Sequence, residues 1–338
     1  MSNTQQPLLR VEHLVKYYPI KGGLLGRTVA QVHAVDDVSF AIQPGETLGL
    51  VGESGCGKST IGRQLAGLEK PTGGKVFYEG RELSALNSAE MRGIRTQIQM
   101  VFQDNYSALN PRKTIFHILS EPMLYHQLAS RDTVEQKVNH LLELVGLPQS
   151  AKARYPHEFS GGQRQRIGIA RALSLEPRLI VCDEPVSALD VSVQAQILNL
   201  FRDLQNELGL SYLFIGHGLA AVNYVSDRIA VMYLGQIVEI APAEALFRNP
   251  MHPYSKALCD AIPQPNPHLR SGEQTLLKGE IGSAIDPAPG CRFAARCPLA
   301  RESCRTERPV LQPAGDDPRH LVACPVVWEG LHRKEGAR

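Results

Sequence analysis

The segment best suited to chemistry is a glycine-rich loop that matches the phosphate-binding pattern G-x-x-x-x-G-K-[ST]. It consists of Gly52, Glu53, Ser54, Gly55, Cys56, Gly57, Lys58, Ser59 and Thr60. The glycines allow consecutive backbone N–H groups to point inward as an anion site, and the helix predicted after the loop adds its positive N-terminal end. In such a loop Lys58 reaches the β- and γ-phosphates and the Ser59 hydroxyl binds Mg²⁺. The sequence therefore predicts a nucleotide–Mg²⁺ site.

Further polar side chains stand at the ends of predicted buried strands. Asp183 and Glu184 end one apolar run, Gln103 ends a strand predicted over 98–103, and His217 follows another predicted strand. In doubly wound sheets, ligands bind at the carboxyl ends of the strands. We therefore expect the carboxylate pair to serve Mg²⁺ and an attacking water, the alternative being solvated loop acids. A lone histidine at a strand end is more often structural, and His217 gains weight only from its neighbours.

A second candidate anion site is the start of a predicted helix at Ser160, Gly161, Gly162 and Gln163. Ser160 is a suitable N-cap, and the glycines leave backbone amides free to face an anion. Taken alone, this Ser-Gly-Gly start is a weak signal.

Length and composition bound the function classes. At 338 residues, with 43% hydrophobic residues, the chain is long enough for about two domains and a real core. A net charge of +2 gives no reason to predict binding to nucleic acid. No run approaches the roughly 18 apolar residues that span a membrane, and residues 1–10 lack the apolar core of a signal peptide. We expect a cytosolic protein that reaches a membrane only through a partner.

The order of the predicted elements indicates an interrupted α/β domain. Strands are predicted over 8–15 and 32–42, with a glycine-rich turn at 21–26 between them. Helical patterns follow over 114–127 and 133–145. A mainly helical insertion that begins near residue 104 therefore interrupts the domain.

Four of the seven cysteines crowd the C-terminal part of the chain: Cys291, Cys297, Cys304 and Cys324. In a reducing cytosol, clustered cysteines favour a metal site over disulfides. Four thiolates suit a [4Fe–4S] cluster or structural zinc, and the lack of close C-x₂-C pairs favours iron–sulfur over zinc. Free thiols or disulfides are the remaining alternatives.

In order and spacing, these motifs resemble those of ABC-transporter ATPase subunits over residues 8–250. The loop at 52–60 resembles the family's P-loop, Gln103 resembles its Q-loop glutamine, and Ser160–Gln163 resembles its signature motif. Residues 179–183 resemble the family's Walker B strand, and Glu184 resembles its catalytic glutamate. Residues 187–190 resemble the D-loop, and His217 resembles the switch histidine. Tyr18 falls at the family's adenine-stacking aromatic position, with Tyr17 as the fallback. One departure is Gly218, since the family usually has aspartate after the switch histidine, and this puts the positioning of His217 in question.

The resemblance implies an α/β P-loop NTPase core with an antiparallel β subdomain, a helical insertion and a small loop-rich C-terminal extension. It implies that Ser59, Gln103 and Asp183 bind Mg²⁺, that Glu184 polarises the attacking water and that His217 holds the γ-phosphate. It also implies a head-to-tail pair of ATPase subunits. Each ATP then lies between the P-loop of one subunit and the signature helix of the other.

A narrower resemblance is to the ATPases of dipeptide and oligopeptide importers. It rests on 155–159, 187–199 and 252–254, and on 104–112, which is closest to the F-type subunit of the dipeptide system. This implies an ATPase domain at 8–251 with a helical subdomain at about 104–174, and an extension at 252–330. The cysteine pattern also resembles this extension, in which some members bind a cluster.

The partners implied are a second, D-type ATPase, two membrane-spanning permeases and an extracytoplasmic peptide-binding protein, at the cytoplasmic face of the membrane. Nickel, other metals or longer peptides are alternative solutes. A soluble ABC ATPase of the repair or translation type would need paired modules, and this chain has one P-loop. A small-molecule kinase would leave Ser160–Gln163 and Glu184 without roles, and a non-hydrolysing scaffold would not need Glu184.

Overall fold

The computed structural model describes residues 6–23, 26–103, 108–262, 282–315 and 317–335. Segments 104–107 and 263–281, which the sequence assigns to the helical insertion and the C-terminal extension, lie outside the described residues. The strands are β1 (Leu9–Gly22), β2 (Arg27–Ile42), β3 (Thr47–Val51), β4 (Gly73–Tyr78), β5 (Arg81–Glu82), β6 (Ile98–Val101), β7 (Leu179–Asp183), β8 (Ser211–Gly216), β9 (Arg228–Tyr233), β10 (Gln236–Pro242), β11 (Gln312–Pro313) and β12 (Leu321–Val322).

The described helices connect or flank these strands. They are α1 (Lys58–Leu65), α2 (Ser88–Gln97), α3 (Ile115–Tyr125), α4 (Val134–Leu144), α5 (Gly161–Leu173), α6 (Val191–Leu208), α7 (Leu219–Val225), α8 (Ala243–Arg248), α9 (Pro253–Asp260), α10 (Ser303–Thr306) and α11 (Pro325–Glu335). No helix in the described ranges has the length and apolar character needed to cross a membrane.

The larger sheet has the strand order β11-β12-β10-β9-β3-β8-β7-β6. The five strands from β9 to β6 are parallel, and β10, β12 and β11 add to them antiparallel. Strands β3, β7 and β8 are buried over their whole length. A parallel strand that is covered on both faces needs apolar side chains on both faces. These segments are therefore nearly continuous apolar runs in the sequence, without alternation of apolar and polar residues.

Alternate residues of the parallel strands enter two different cores. In β7, Ile180 and Cys182 pack with the helices on one face, and Leu179 and Val181 pack with α1 and the smaller sheet on the other. The sheet is therefore the middle layer of the molecule. Its carboxyl edge, where β3, β7 and β8 end, is the place where polar side chains reach a ligand.

The smaller sheet is antiparallel, with the order β2-β1-β4-β5. Its first strand is longer than predicted: β1 continues through the expected turn region to Gly22 and pairs with β2 from Leu9↔Ile42 to Gly22↔Arg27. Between β1 and β2, the Gly26 N–H donates to the Gly23 carbonyl at 3.2 Å. The longer strand is stabilised by its backbone pairing with β2, a contact with a distant segment that the local sequence pattern does not indicate.

The predicted helical insertion is confirmed within the described residues. Thr114 caps α3, and α4 follows after a short turn. The predicted apolar stripe is buried in the core at Val134, Val138, Leu141, Leu142 and Val145. These residues hold α4 against α3 and α5.

The C-terminal part of the chain contacts both sheets. Strand β12 pairs with β10 through Glu239↔Val322 and Ile240↔Leu321. A preceding loop lies along β2, where the His33 N–H donates to the Ala284 carbonyl at 2.8 Å. This part of the chain therefore continues the large sheet at one edge and also contacts β2 of the smaller sheet.

Candidate nucleotide-binding site

The phosphate loop lies between β3 and α1, and two of its glycines meet backbone on their Cβ side. Gly52 has φ +156°, and a Cβ atom there would lie 2.1 Å from the carbonyl oxygen of Met232. Gly57 has φ +108°, and a Cβ atom there would lie 2.0 Å from the carbonyl oxygen of Ala34. Only glycine fits such positions. The loop therefore curls tightly at the N-terminus of α1, where backbone N–H groups and the helix dipole favour a phosphate.

The Lys58 ammonium group lies inside this loop. Its Nζ donates to the carbonyl oxygens of Gly52 at 2.8 Å and Glu53 at 3.1 Å, and the residue is 4% exposed. Within the described residues, no carboxylate forms an ion pair with it. Backbone carbonyls therefore hold the ammonium group in position, inside the loop that would bind the phosphates.

Ser59 and Asp183 come together from the start of α1 and the end of β7. The Ser59 hydroxyl donates to Asp183 Oδ1 at 2.7 Å. Burial raises the pKa of Asp183, and the hydrogen bond from Ser59 opposes that rise. A hydroxyl and a carboxylate are oxygen ligands that Mg²⁺ accepts, and a cation there would offset the burial of negative charge. The donor set fits Mg²⁺.

Glu184 lies between Gln103 and His217. Its Oε2 accepts a hydrogen bond from Gln103 Nε2 at 3.1 Å and lies 3.3 Å from His217 Nδ1. Glu184 itself has φ +46°, an unusual backbone for a non-glycine residue. Its N–H is nevertheless satisfied by the Ile215 carbonyl at 3.0 Å. The three polar side chains predicted from three separate strand ends therefore meet at one carboxylate.

A small cavity of about 70 Å³ lies beside this carboxylate, lined by Glu184, Ser187, Gln194, His217 and Gly218 among others. Its lining combines these polar groups with apolar side chains such as Val186, Phe214 and Val222, and it is large enough for a water molecule. Gly218 has an extended backbone at the N-terminus of α7. With glycine at that position, His217 still faces Glu184, although its side chain is 60% exposed.

The signature segment is at the N-terminus of α5 and away from the phosphate loop. Ser160 and Gln163 form a reciprocal capping box, at 3.3 Å and 3.1 Å. A Cβ atom at Gly162 would lie 2.5 Å from Val193 Cγ1 of α6. No hydrogen bond in the described part of the chain joins residues 160–163 to residues 52–60. Within one chain, the structure does not bring the two predicted anion sites together.

The two tyrosines of β1 point to opposite sides of the strand. The Tyr18 hydroxyl donates to Glu69 Oε1 at 2.6 Å and lies within hydrogen-bonding reach of the Thr60 side chain at the start of α1. Tyr17 stacks on His33 with ring centroids 3.9 Å apart. Its hydroxyl donates to Asp36 at 2.6 Å. Tyr18 therefore lies beside the start of α1, and the fallback Tyr17 lies beside Asp36.

The four C-terminal cysteines are gathered but do not form a ligand set. Burial raises the pKa of the Cys291 thiol to about 11, and the other three thiols add to this rise. The Cys291 N–H also donates to the Cys304 carbonyl at 2.7 Å. In the described ranges, however, no three His, Cys, Asp or Glu side chains are placed to hold one metal ion. As arranged here, these thiols do not fit a cluster or zinc.

Contacts that the sequence did not indicate reach the loop from the C-terminal part of the chain. The Tyr254 hydroxyl accepts a hydrogen bond from the Glu53 N–H at 2.9 Å. Arg296 donates to both carboxylate oxygens of Glu53, at 3.0 Å and 2.9 Å. These partners lie 201 and 243 residues from Glu53, so no local pattern could have paired them.

Two family models match the chain. The ABC transporter family matches residues 35–187, and the C-terminal region of oligopeptide/dipeptide transporters matches residues 238–304. The oligopeptide transport ATP-binding protein AppF of Bacillus subtilis is 49% identical over 95% of this chain and 97% of its own length. The dipeptide transport ATP-binding protein DppF of Haemophilus influenzae is 50% identical over 94% of this chain and 96% of its own length.

Solved structures resemble this fold as well. CbiO1 from Clostridium perfringens, part of an ABC transporter complex, has a TM-score of 0.63 at 25% identity, covering 72% of this chain and 92% of its own. A dimeric ATP-binding cassette bound to ADP and Pi has a TM-score of 0.61 at 25% identity, covering 70% of this chain and 98% of its own. The chain belongs to the ABC transporter ATPases and carries the C-terminal region of their oligopeptide/dipeptide branch.

Proposed function

We propose that this chain is the ATP-hydrolysing subunit of an importer that energises the uptake of dipeptides and oligopeptides across the cytoplasmic membrane. The observation that carries the ATPase chemistry is the Ser59–Asp183 contact at 2.7 Å, next to the Glu184 carboxylate. Support for peptides comes from the C-terminal region and from the relatives named above. Nickel, other metals or longer peptides are the alternative solutes.

The proposed roles follow the chemistry of each group. The backbone of residues 52–60 and Lys58 bind the phosphates, Ser59 and Asp183 hold Mg²⁺ with Gln103 as a further ligand, and Tyr18 stacks on the adenine. Mg²⁺ supplies charge neutralisation at the transferred phosphoryl group. Glu184 orients the attacking water, and His217 binds the γ-phosphate beside it.

The separation of residues 160–163 from the phosphate loop supports a two-subunit site. We infer that Ser160, Gly161, Gly162 and Gln163 contact the ATP bound to the P-loop of a second subunit. The backbone amides at the start of α5 are suited to an anion, because the helix dipole adds to them. A dimeric ATPase and membrane permeases are what membership of this family implies.

The finer partners are proposals: a related D-type ATPase, two permease subunits and an extracytoplasmic peptide-binding protein. The chain would then be a peripheral protein at the cytoplasmic face of the membrane. Purification of the tagged chain from detergent-solubilised membranes tests this. We expect two multi-span proteins and a second ATPase to co-purify, and recovery of the chain alone would contradict the proposal.

Replacing Glu184 by Gln tests the catalytic assignment. We expect ATP turnover to fall on the order of 100-fold or more while ATP binding is kept, because the amide cannot accept a proton from water. Glu176→Gln is a matched control: Glu176 also has positive φ, at +52°, but its side chain is 65% exposed. Unchanged turnover in Glu184→Gln would show that the assigned role is wrong.

The metal site at the four cysteines stays a prediction. Because the thiols are close but not arranged as ligands, binding would require them to move and to lose their protons. Anaerobically purified protein that absorbs near ~400 nm would support an iron–sulfur cluster. Colourless protein with stoichiometric zinc would support the zinc alternative, and protein free of both would refute the prediction.

The domain boundaries, 8–251 for the ATPase, about 104–174 for its helical subdomain and 252–330 for the extension, also stay predictions. Limited proteolysis with mass spectrometry tests them. Cleavage concentrated near residue 251 would support the division, and a stable fragment that continues well beyond it would contradict it.

A further inference from the structure

The second residue of the phosphate loop is held from outside the ATPase motifs. Glu53 receives two contacts from the C-terminal part of the chain: its N–H donates to the Tyr254 hydroxyl, and its carboxylate accepts from Arg296. We call Glu53, Tyr254 and Arg296 the loop clamp. The clamp fixes both the backbone and the side chain of one loop residue.

The clamped peptide is directly connected to the phosphate-binding lysine. The carbonyl oxygen of Glu53 accepts from Lys58 Nζ at 3.1 Å, and that of Gly52 accepts from it at 2.8 Å. The Glu53 N–H that Tyr254 holds belongs to the Gly52–Glu53 peptide, so a rotation of this peptide would also move the Gly52 carbonyl, the nearer of the two acceptors of Lys58. The clamp therefore acts on the orientation of the groups that face a phosphate.

The two outer members of the clamp are rigidly supported. Tyr254 is fully buried, and its ring packs against Tyr233 and Phe293 with centroids 4.7 Å and 5.4 Å apart. The Arg296 side chain is only 8% exposed and also reaches the Tyr233 hydroxyl at 3.4 Å. A single nitrogen, Arg296 Nη1, donates to both carboxylate oxygens of Glu53. Because these hydrogen bonds are charge-assisted and Arg296 is almost fully buried, they hold the Glu53 side chain in one place.

We propose that Tyr254 and Arg296 are positioning residues for nucleotide binding: they hold the Glu53 peptide in the orientation that lets the phosphate loop and Lys58 bind ATP. The inference rests on the ATP site proposed above and extends it to the C-terminal part of the chain. That part of the chain is then a component of the nucleotide site, not only an attachment to it.

Calorimetric titration of the full chain with Mg²⁺ and AMP-PNP, a non-hydrolysable ATP analogue, tests the clamp. We expect Arg296→Gln to weaken binding on the order of 10-fold and Tyr254→Phe about 2- to 10-fold, the ranges for a charged and a neutral hydrogen bond. In ATP turnover, the KM for ATP should rise by similar factors while kcat changes less. Arg296→Lys, which keeps the charge, should recover part of the affinity.

Two variants separate positioning from stability. Arg308→Gln removes another ion pair of the C-terminal part, with Asp36 at 3.3 Å, but leaves the loop untouched. We expect it to lower the melting temperature without weakening AMP-PNP binding. In a Glu53→Gln background, Arg296→Gln should cause little further loss of affinity, because both changes remove the same contact.

Two results would overturn the inference. One is wild-type affinity in folded Arg296→Gln, and the other is a loss of affinity that is equally large in the Glu53→Gln background. Failure of the wild-type chain itself to bind AMP-PNP would instead refute the ATP site, and the inference with it.

Discussion

Asp36 is the buried anion that joins the C-terminal part of the chain to the smaller sheet, and its replacement by Asn is a direct test of that junction. Its carboxylate forms ion pairs with Arg292 and, at 3.3 Å, with Arg308. It also accepts hydrogen bonds from Tyr17 at 2.6 Å and Gln236 at 3.1 Å. Asn keeps the shape of the side chain and removes its charge.

The magnitude follows from the pKa of Asp36. Burial alone would raise it, but the hydrogen bonds from Tyr17 and Arg292 and the charge of Arg308 lower it from 3.8 to about 2. A difference of about 1.8 in pKa corresponds to about 2 kcal/mol of stabilisation of the charged form. We expect Asp36→Asn to lower the free energy of unfolding by at least this amount, because Arg292 is left buried without its anion.

Urea denaturation followed by circular dichroism measures this loss. Because the pKa of Asp36 is lower in the folded chain, its contribution is complete above pH 3.8 and is lost as the pH falls toward 2. The difference between wild type and Asp36→Asn should therefore be constant from pH 7 to about pH 4. The adjacent Asp37, whose side chain is 40% exposed, supplies the control Asp37→Asn, for which we expect less than about 0.5 kcal/mol. Equal midpoints for wild type and Asp36→Asn would refute the reasoning.

Three further results are expected. Burial lowers the pKa of His252 from 6.5 to about 4, so its protonation favours the unfolded chain. The free energy of unfolding should therefore fall by up to about 3 kcal/mol as the pH drops from 6.5 to 4. His252→Asn keeps a helix cap but cannot be protonated in this range, so its melting temperature should depend less on pH between 6.5 and 4. Gly57→Ala should abolish AMP-PNP binding, because its Cβ would lie 2.0 Å from a backbone oxygen of β2. At Gly55 no atom lies within 4 Å of the added Cβ, so Gly55→Ala should retain part of the binding. Equal losses in the two variants would contradict the steric argument. Tyr18→Leu should weaken ATP binding more than Tyr17→Leu in fluorescence titrations with an adenine nucleotide, and the reverse order would move the stacking role to Tyr17.

The parts of the site that the sequence predicted are those with a local pattern. The end of β7 was recognisable because a strand buried on both faces is a continuous apolar run, and Asp183 and Glu184 are the polar residues that interrupt it. The same logic located His217, which follows the fully buried β8. Which of Tyr17 and Tyr18 lies beside α1 could not be predicted from the sequence, because adjacent residues of a strand face opposite sides and the sequence does not say which side holds the loop.

The parts that the sequence missed depend on contacts between distant segments. The extension of β1 to Gly22 is stabilised by pairing with β2, and it includes Pro19, a residue type that is uncommon inside strands. The contact between Glu53 and Arg296 joins segments with no common pattern. For the cysteines, the sequence pattern predicted more than the described residues show. Their clustering in the sequence predicted a metal site, and the fold brings Cys291 and Cys304 close together without the geometry of metal ligands.

Among the described strands, β12 is the last to be translated. Its partner β10 contains the fully buried Glu239, whose carboxylate lies 2.6 Å from His320 Nε2, one residue before β12. Until the ribosome has delivered residue 322, β10 is an open sheet edge and Glu239 lacks this partner. A premature stop codon before that point would therefore yield an aggregation-prone chain exposed to proteases. Cellular quality control would thus remove subunits that carry every ATP-binding motif but lack the end of the chain.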